Sequence, residues 1–233
     1  MKRIAIITAR GGSKRIPKKN IKDFLGKPII SYSIEIALDS GLFDEVMVST
    51  DDEEIAELSI NYGANVPFLR SDKTSDDFST TPDVLIEVME SYNKIGCHFD
   101  IGCCIYPTAP LISQKTLSES LKKLETNSLD CVFPAIKFSY PIQRALYVDS
   151  KQKIKMVNPE NYRARSQDLK IFYQDAGQFY WFNVPTFLRK KKLWTDNCEM
   201  IEISELESQD IDNLSDWSIA ELKYNLKNKN DEI

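Results

Sequence analysis

Between Arg10 and Lys19 the chain places five cations in ten residues, Arg10, Lys14, Arg15, Lys18 and Lys19, although its net charge is -5. Gly11, Gly12 and Ser13 lie among them. Two glycines let successive backbone N–H groups converge on one point, which makes an anion nest. A polyanion such as a triphosphate is the natural guest. A plain turn flanked by a solvated charged face satisfies the same residues, so both readings stand at this level. The stretch lacks the second glycine before Lys-Ser/Thr that a Walker A loop requires, which argues against an ordinary P-loop ATPase. Near the other end stands Asp210-Ile211-Asp212. In extended chain, residues i and i+2 point the same way, so the two carboxylates would converge while Ile211 turns inward. Two hard oxygen ligands suit Mg²⁺, which takes one or two carboxylates and completes its shell with phosphates and water. An isolated Asp-x-Asp before a helix is otherwise a solvated loop. A third stretch, Tyr173 to Phe182, is aromatic and polar together. It suits either a binding wall or a well-packed strand.

Predicted elements must bring these stretches together. Ile4 to Ile7 form a continuous apolar run, the pattern of a strand buried on both faces of a parallel sheet. Pro28 is placed to begin a helix over Ile29 to Ala37, closed at Gly41. Glu45 to Thr50 reads as a strand. The acids Asp51 to Glu54 open a helix ending at Gly63, with Thr50 or Asp51 as its cap, a structural role preferred here over metal binding. Asn65 to Leu69 is a short extended segment delivering Arg70. Thr81 is expected to cap a helix with Pro82 at its first position. Asp100 to Tyr106 and Asp130 to Ala135 are strands flanking a helix capped by Ser113. Glu199 to Ile203 is extended. Ser215 or Asp216 caps a last helix carrying Trp217, Ile219, Ala220, Leu222 and Tyr224, and Lys227 to Ile233 reads as a frayed tail. Gly177 would permit close backbone approach.

Strands alternating with helices predict one α/β domain over residues 1–233, with a doubly wound, mostly parallel Rossmann-like sheet. Ligands bind beyond the carboxyl ends of such strands. Arg10, Ser49 to Asp52 and Tyr106 to Pro110 all fall there and can share one cleft. Residues 138–169 break the pattern and read as an insertion, a β-rich arm.

Charged residues make up 28% of the chain and hydrophobic ones 42%, an ordinary soluble composition. The acidic balance argues against general nucleic-acid binding. No apolar run approaches the roughly 18–20 residues of a membrane span. The start of the chain is a strand rather than a signal peptide. The five cysteines, Cys97, Cys103, Cys104, Cys131 and Cys198, show no metal spacing. A cytoplasmic protein with reduced thiols is expected.

The strings ARGGSKRIPKKN and QDIDNLSDWSIAELKY are far more specific than their glycines or acids. With LGKPIISYSIE, LFDEVMVSTDDEEIAE, YGANVPFLR, SDDFSTT, YPTAP and RSQDL between them, the chain resembles the sugar-acid cytidylyltransferases, the CMP-sialic acid synthetase family, nearly end to end. The resemblance implies the nucleotide-diphospho-sugar transferase fold. It implies transfer of CMP from CTP to a nine-carbon α-keto sugar acid, with release of pyrophosphate. Arg10, Gly11, Gly12, Ser13 and Lys14 would then hold phosphates. Lys19 and Mg²⁺ would offset the charge that develops in the transfer. Asn20, Arg70 and Ser79 would contact the nucleotide, and Arg165, Gln167, Asp175 and Gln178 the sugar. Asp210 and Asp212 would hold the metal, with Asp212 as base if one is needed. The arm would build a homodimer and carry Arg165 towards the partner's site. Within the family, YPIQRAL, RSQDL and DAGQFYWF favour pseudaminic acid over N-acetylneuraminic or legionaminic acid. Many members have Gln-Pro-Thr-Ser-Pro where this chain has Tyr106 to Pro110, so the contact of that glutamine does not transfer to Tyr106. Rival readings are uridylyl or guanylyl transfer on the same fold, and a nucleotide-binding regulator that has lost catalysis. Intact Lys19, Asp210 and Asp212 argue against the regulator.

Overall fold

The computed structural model describes residues 1–76 and 78–231. In chain order, β1 (Arg3–Thr8) is followed by a small hairpin of β2 (Asp23–Phe24) and β3 (Lys27–Pro28). Then come α1 (Ile29–Asp39), β4 (Glu45–Ser49), α2 (Glu53–Asn61), α3 (Asp72–Ser75) and α4 (Thr81–Lys94). Next are β5 (Ile101–Ile105), α5 (Gln114–Thr126), β6 (Cys131–Lys137) and a second hairpin, β7 (Leu146–Val148) with β8 (Ile154–Met156). The chain finishes with β9 (Tyr173–Asp175), β10 (Phe179–Asn183), α6 (Val184–Lys190), β11 (Cys198–Ile203) and α7 (Leu214–Asp231).

A seven-stranded sheet runs β11-β6-β10-β5-β1-β4, with β9 added on β6. β1 is parallel to β4 and β5, and β11 is parallel to β6. β10 runs antiparallel to both of its neighbours. That reversal sets its first residue, Phe179, against the last residue of β5, Ile105. Gln178 therefore stands at the same sheet edge as the carboxyl ends of the parallel strands. Gly102 makes the pairing possible, since a Cβ there would come within 2.3 Å of the Phe182 ring.

Alternate residues feed two cores, as strands covered on both faces require. Ala5, Ile7, Val48 and Trp181 pack with Ile30, Ile34, Leu117 and Leu121 on one face. Ile4, Ile6, Met47 and Phe182 pack with Leu85, Val88 and Met89 on the other. The doubly wound expectation holds. A third cluster gathers Ile16, Phe24, Ile29, Tyr32, Ile211, Trp217 and Ala220. Phe24 lies edge-on to Tyr32, Trp217 and Tyr224 at 5.4, 5.6 and 5.9 Å between ring centroids. Each such pair adds about 0.5–1.5 kcal/mol beyond its burial.

Several local expectations need correction. Pro28 is the residue before α1 rather than its first turn. Asp52, not Thr50 or Asp51, caps α2, accepting from the N–H groups of Glu54 and Ile55. Thr80 rather than Thr81 caps α4 and closes a capping box with Asp83. Asn213 accepts from the N–H groups of Ser215 and Asp216, while Asp216 accepts from that of Asn213, so neither Ser215 nor Asp216 is the cap. On α7, Trp217 and Ala220 are buried but Ile219 and Leu222 are exposed. Lys227 is no frayed end, because its ammonium reaches the Leu111 carbonyl at 3.0 Å and α7 continues to Asp231. Glu232 and Ile233, the end of that expected tail, lie outside the described residues. Gly177 has a φ of 62° with nothing near its missing Cβ. Its role is left-handed backbone, not close approach.

The segment 138–169 holds one short hairpin and three single-turn 3-10 helices, so it is less β-rich than expected. Leu146, Tyr147, Val148 and Ile154 of the hairpin are exposed.

Candidate active site

The loop after β1 is built outward from its glycines. Gly11 donates its N–H to Asp51 at 3.0 Å. A Cβ at Gly11 would fall 2.5 Å from the Asp52 carboxylate, so a larger residue would have to push that helix cap aside. Gly12 has open space around it. Ser13 turns back on the Gly11 carbonyl at 2.9 Å. Lys14 is exposed on the loop. Asn20 is buried and its amide donates to the Arg10 carbonyl at 2.9 Å, which ties the far end of the loop to its start.

Lys19 begins a 3-10 turn, after Lys18 has adopted the left-handed region at φ 51°. Its ammonium donates to the Ile211 carbonyl at 2.7 Å. The third core cluster explains this meeting of residues far apart in the chain. Ile16 anchors the loop, Phe24 follows it, and both pack against Ile211 and Trp217. With Ile211 fully buried, its neighbours Asp210 and Asp212 are left at the surface on either side. Arg15 pairs with Asp212 at 2.6 Å. Burial pushes the Lys19 ammonium below the usual lysine range, against the pull of Asp212 and Asp210. Asp210 keeps an exposed face, yet partial burial of its carboxyl and repulsion from Asp212 raise it. Two carboxylates that repel one another beside a lysine form a site that favours added positive charge. Among the described residues no group of three or more His, Cys, Asp or Glu gathers. The pair fits a hard divalent ion that draws its remaining ligands from phosphates and water.

A second wall comes from the loop after β4. Arg70 is buried and donates through Nε to Ser49 Oγ at 3.1 Å and through its terminal nitrogen to the Ser49 carbonyl at 2.6 Å. Burial lowers its guanidinium, opposed by Asp51 and Glu87. Arg10 donates to the Asp76 carbonyl at 3.1 Å. Ser79 donates to Asp76 at 2.6 Å. Arg10 and Ser79 thus meet at Asp76, while Arg70 is fixed on Ser49 with Asp51 close enough to act on its charge.

The third wall is the turn between β9 and β10. Asp175 accepts from the Gly177 N–H at 2.9 Å and also from the Tyr180 hydroxyl. Gln178 is buried, its side-chain amide donating to the Glu207 carbonyl and its backbone carbonyl accepting from the Tyr106 N–H at 2.8 Å. Both side chains, singled out as sugar candidates, hold this turn in shape. Tyr106 and Tyr180, 5.6 Å apart between centroids, border a pocket of about 300 Å³ with Thr81, Lys192 and Trp194. Trp194 stacks on Phe133 at 4.7 Å. Sequence reasoning missed Lys192 and Trp194 because a tryptophan after a lysine run looks like surface.

Arg165 and Gln167 stand apart from these walls. Arg165 is exposed on the arm, and its guanidinium is paired with Asp168 at 2.7 and 3.1 Å. Gln167 lines a groove of about 410 Å³ with Phe138, Tyr140, Ile142 and Phe172.

The pattern of a family described as Cytidylyltransferase matches residues 4–214. A pseudaminic acid cytidylyltransferase of Campylobacter jejuni is 43% identical, over 98% of this chain and 99% of its own. The CMP-N,N'-diacetyllegionaminic acid synthase of Legionella pneumophila is 31% identical over 95% of each chain. Among solved structures, a CMP:2-keto-3-deoxy-manno-octonic acid synthetase complexed with CTP superposes with a TM-score of 0.71. At 19% identity over 98% of this chain and 100% of that one, it speaks for the fold alone.

Proposed function

The chain belongs to the cytidylyltransferase family, and from that footing we propose that it activates pseudaminic acid, converting CTP and the sugar acid to CMP-pseudaminic acid and pyrophosphate. The observation that carries the reading is the meeting of Lys19 with Asp210 and Asp212 across the buried Ile16–Phe24–Ile211–Trp217 cluster. The 43% identity to the Campylobacter jejuni enzyme supports the choice of sugar.

The three walls divide the work. Arg10, Gly11, Gly12, Ser13 and Lys14 cradle the triphosphate, with Asp51 released from the Gly11 N–H as phosphate arrives. Asn20 keeps the loop closed while Arg70 and Ser79 meet the nucleotide. The anomeric hydroxyl of the sugar attacks the α-phosphorus, and the bond to the bridging oxygen of pyrophosphate breaks. Lys19 lies where charge develops on the α-phosphate and leaving group, so this is catalysis by position and electrostatics. If the hydroxyl proton needs a base, Asp212 is the candidate. Asp210 and Asp212 would hold Mg²⁺, which supplies Lewis-acid stabilisation of the phosphates when bound. Asp175 and Gln178 shape the sugar wall, and Tyr106, Tyr180 and Trp194 offer it flat apolar faces. A sugar bearing a deoxy carbon and a second acylamido group fits such faces better than a hydroxylated tail. Each hydroxyl buried there without a partner costs roughly 1–3 kcal/mol.

The arm serves assembly in this reading. Exposed apolar residues on a lone two-stranded hairpin need a cover, and a second copy supplies it. One catalytic unit over residues 1–233 with the arm at 138–169 then forms a cytoplasmic homodimer, and Arg165 grips the sugar carboxylate of the partner's site. Pyrophosphate release tests the chemistry: with sugar acid and Mg²⁺, CTP should support release at least tenfold faster than ATP, GTP or UTP. Release that follows UTP or GTP would point to a different nucleotidyl donor. No release with any triphosphate would favour a binding regulator.

A further inference from the structure

Cys131 opens β6 and Cys198 opens β11, and the two are register partners in the parallel ladder. Register partners in adjacent strands send their side chains to the same face, and strands lie about 4.8 Å apart. That spacing falls within the Cα separation of about 4.4–6.8 Å that a disulfide spans. The two thiols interact, which draws Cys198 down and together with burial pushes Cys131 up. Cys131 is fully buried, whereas Cys198 is partly exposed. Thr195 directs its N–H at the Cys198 sulfur at 3.1 Å and its hydroxyl lies at 3.5 Å, an arrangement that favours thiolate. The neighbouring Cys131 thiol together with these contacts brings Cys198 down to about 6. Cys103 and Cys104 differ, being fully buried and pushed up by burial.

The pair sits at the opposite ends of the strands from the Lys19 site, but it is linked to the aromatic pocket. The Leu193 carbonyl lies 3.3 Å from the Cys198 sulfur and accepts its S–H. Leu193 to Thr195 is therefore a turn folded around that sulfur, and it carries Trp194. We propose that Cys131 and Cys198 are an oxidisable dithiol, a modification site for hydrogen peroxide, and that closing the disulfide loosens the turn bearing Trp194.

The chemistry balances in two steps. The Cys198 thiolate attacks the peroxide O–O bond, takes one oxygen as sulfenic acid and expels the other, which leaves as water. The Cys131 sulfur then attacks the Cys198 sulfur. The S–S bond forms, the S–O bond breaks, and a second water carries off the Cys131 proton. Two thiols lose two electrons and two protons, and the peroxide is reduced to water. The Cys198 sulfur, which accepts from the Thr195 N–H, is drawn towards Cys131 on the way.

The test treats the full-length wild-type protein with hydrogen peroxide, alkylates it, and maps its peptides by mass spectrometry. The expected result is a Cys131–Cys198 linked peptide with free thiols falling from five to three, reversed by dithiothreitol. Trp194 is 56% exposed whereas Trp181 and Trp217 are buried, so iodide quenching of tryptophan fluorescence should rise on oxidation and fall on reduction. Cys131→Ser should leave Cys198 as sulfenic acid, trapped by dimedone, and Cys198→Ser should abolish the response. Oxidation of Cys97 without a linked peptide, or Cys198 passing to sulfinic acid in the wild type, would overturn the proposal. The wild-type map decides the matter even if either variant fails to fold.

Discussion

Lys19 and Asp210 sit side by side with opposite burdens. Burial weakens the hold of Lys19 on its proton, and burial with Asp212 nearby strengthens the hold of Asp210. A charge kept where the fold disfavours it marks a functional role more often than a structural one. Lys19→Ala should lower turnover on the order of 10²-fold, the effect of about 3 kcal/mol removed from transition-state charge. Near-normal turnover in single-turnover kinetics would take Lys19 out of the mechanism. The folded protein favours protonated Asp210 more than the unfolded chain does, so its carboxylate costs stability at neutral pH, and that cost fades as the pH falls. Asp210→Asn should therefore cut metal affinity and activity while leaving Tm unchanged or slightly higher. Calorimetric titration of Mg²⁺ with a melting curve on the same sample checks both. The raised Asp210 also predicts that wild-type metal affinity begins to fall at a higher pH than an ordinary carboxylate would allow.

Among the elements, β1 and its loop were the most legible, because four consecutive apolar residues before Gly-Gly admit few other structures. The Asp-x-Asp pair was legible as well, with Ile211 turned into the core as alternation requires. Helix caps were found to within one or two residues, but Asp52, Thr80 and Asn213 displaced their neighbours as the actual caps. Adjacent Ser, Thr, Asp and Asn are all competent there, and backbone geometry chooses between them. The reversal of β10 was illegible, since composition carries no strand direction. So was the pocket role of Trp194, which depends on a turn folded around Cys198. The cluster of Phe24 with Ile16, Ile211 and Trp217 joins both ends of the chain, and no local pattern announces it. It makes the sharpest element-scale prediction. Phe24→Ala should cost about 3–5 kcal/mol of stability. At a temperature where the variant is still folded, it should also lose turnover, because Lys19 and Asp210 are no longer held together. Phe24→Leu should recover most of both. Urea melts with initial rates separate the two effects, and full activity in folded Phe24→Ala would mean that the site does not depend on this cluster.

At the scale of the whole molecule, the protein places its glycine loop, acid pair and aromatic pocket at one edge of the sheet and leaves the arm outside. Arg165 faces none of those walls within its own chain and is held by Asp168. If a second copy covers the hairpin, Ile154→Asp on it should shift light-scattering mass from dimer to monomer and reduce activity. If Arg165 acts across the interface, mixing inactive Arg165→Ala with inactive Lys19→Ala should restore part of the wild-type rate through hybrid dimers. A fully active monomer would remove the arm from the site. The most direct test of the account is mass spectrometry of the products when limiting CTP and Mg²⁺ meet equal amounts of pseudaminic and N-acetylneuraminic acid. The account predicts CMP-pseudaminic acid and pyrophosphate, with CMP-N-acetylneuraminic acid at least about tenfold less abundant, as roughly 1–3 kcal/mol per unpartnered hydroxyl implies. A mixture dominated by CMP-N-acetylneuraminic acid would overturn the choice of sugar, and the absence of any CMP-sugar would contradict the central claim.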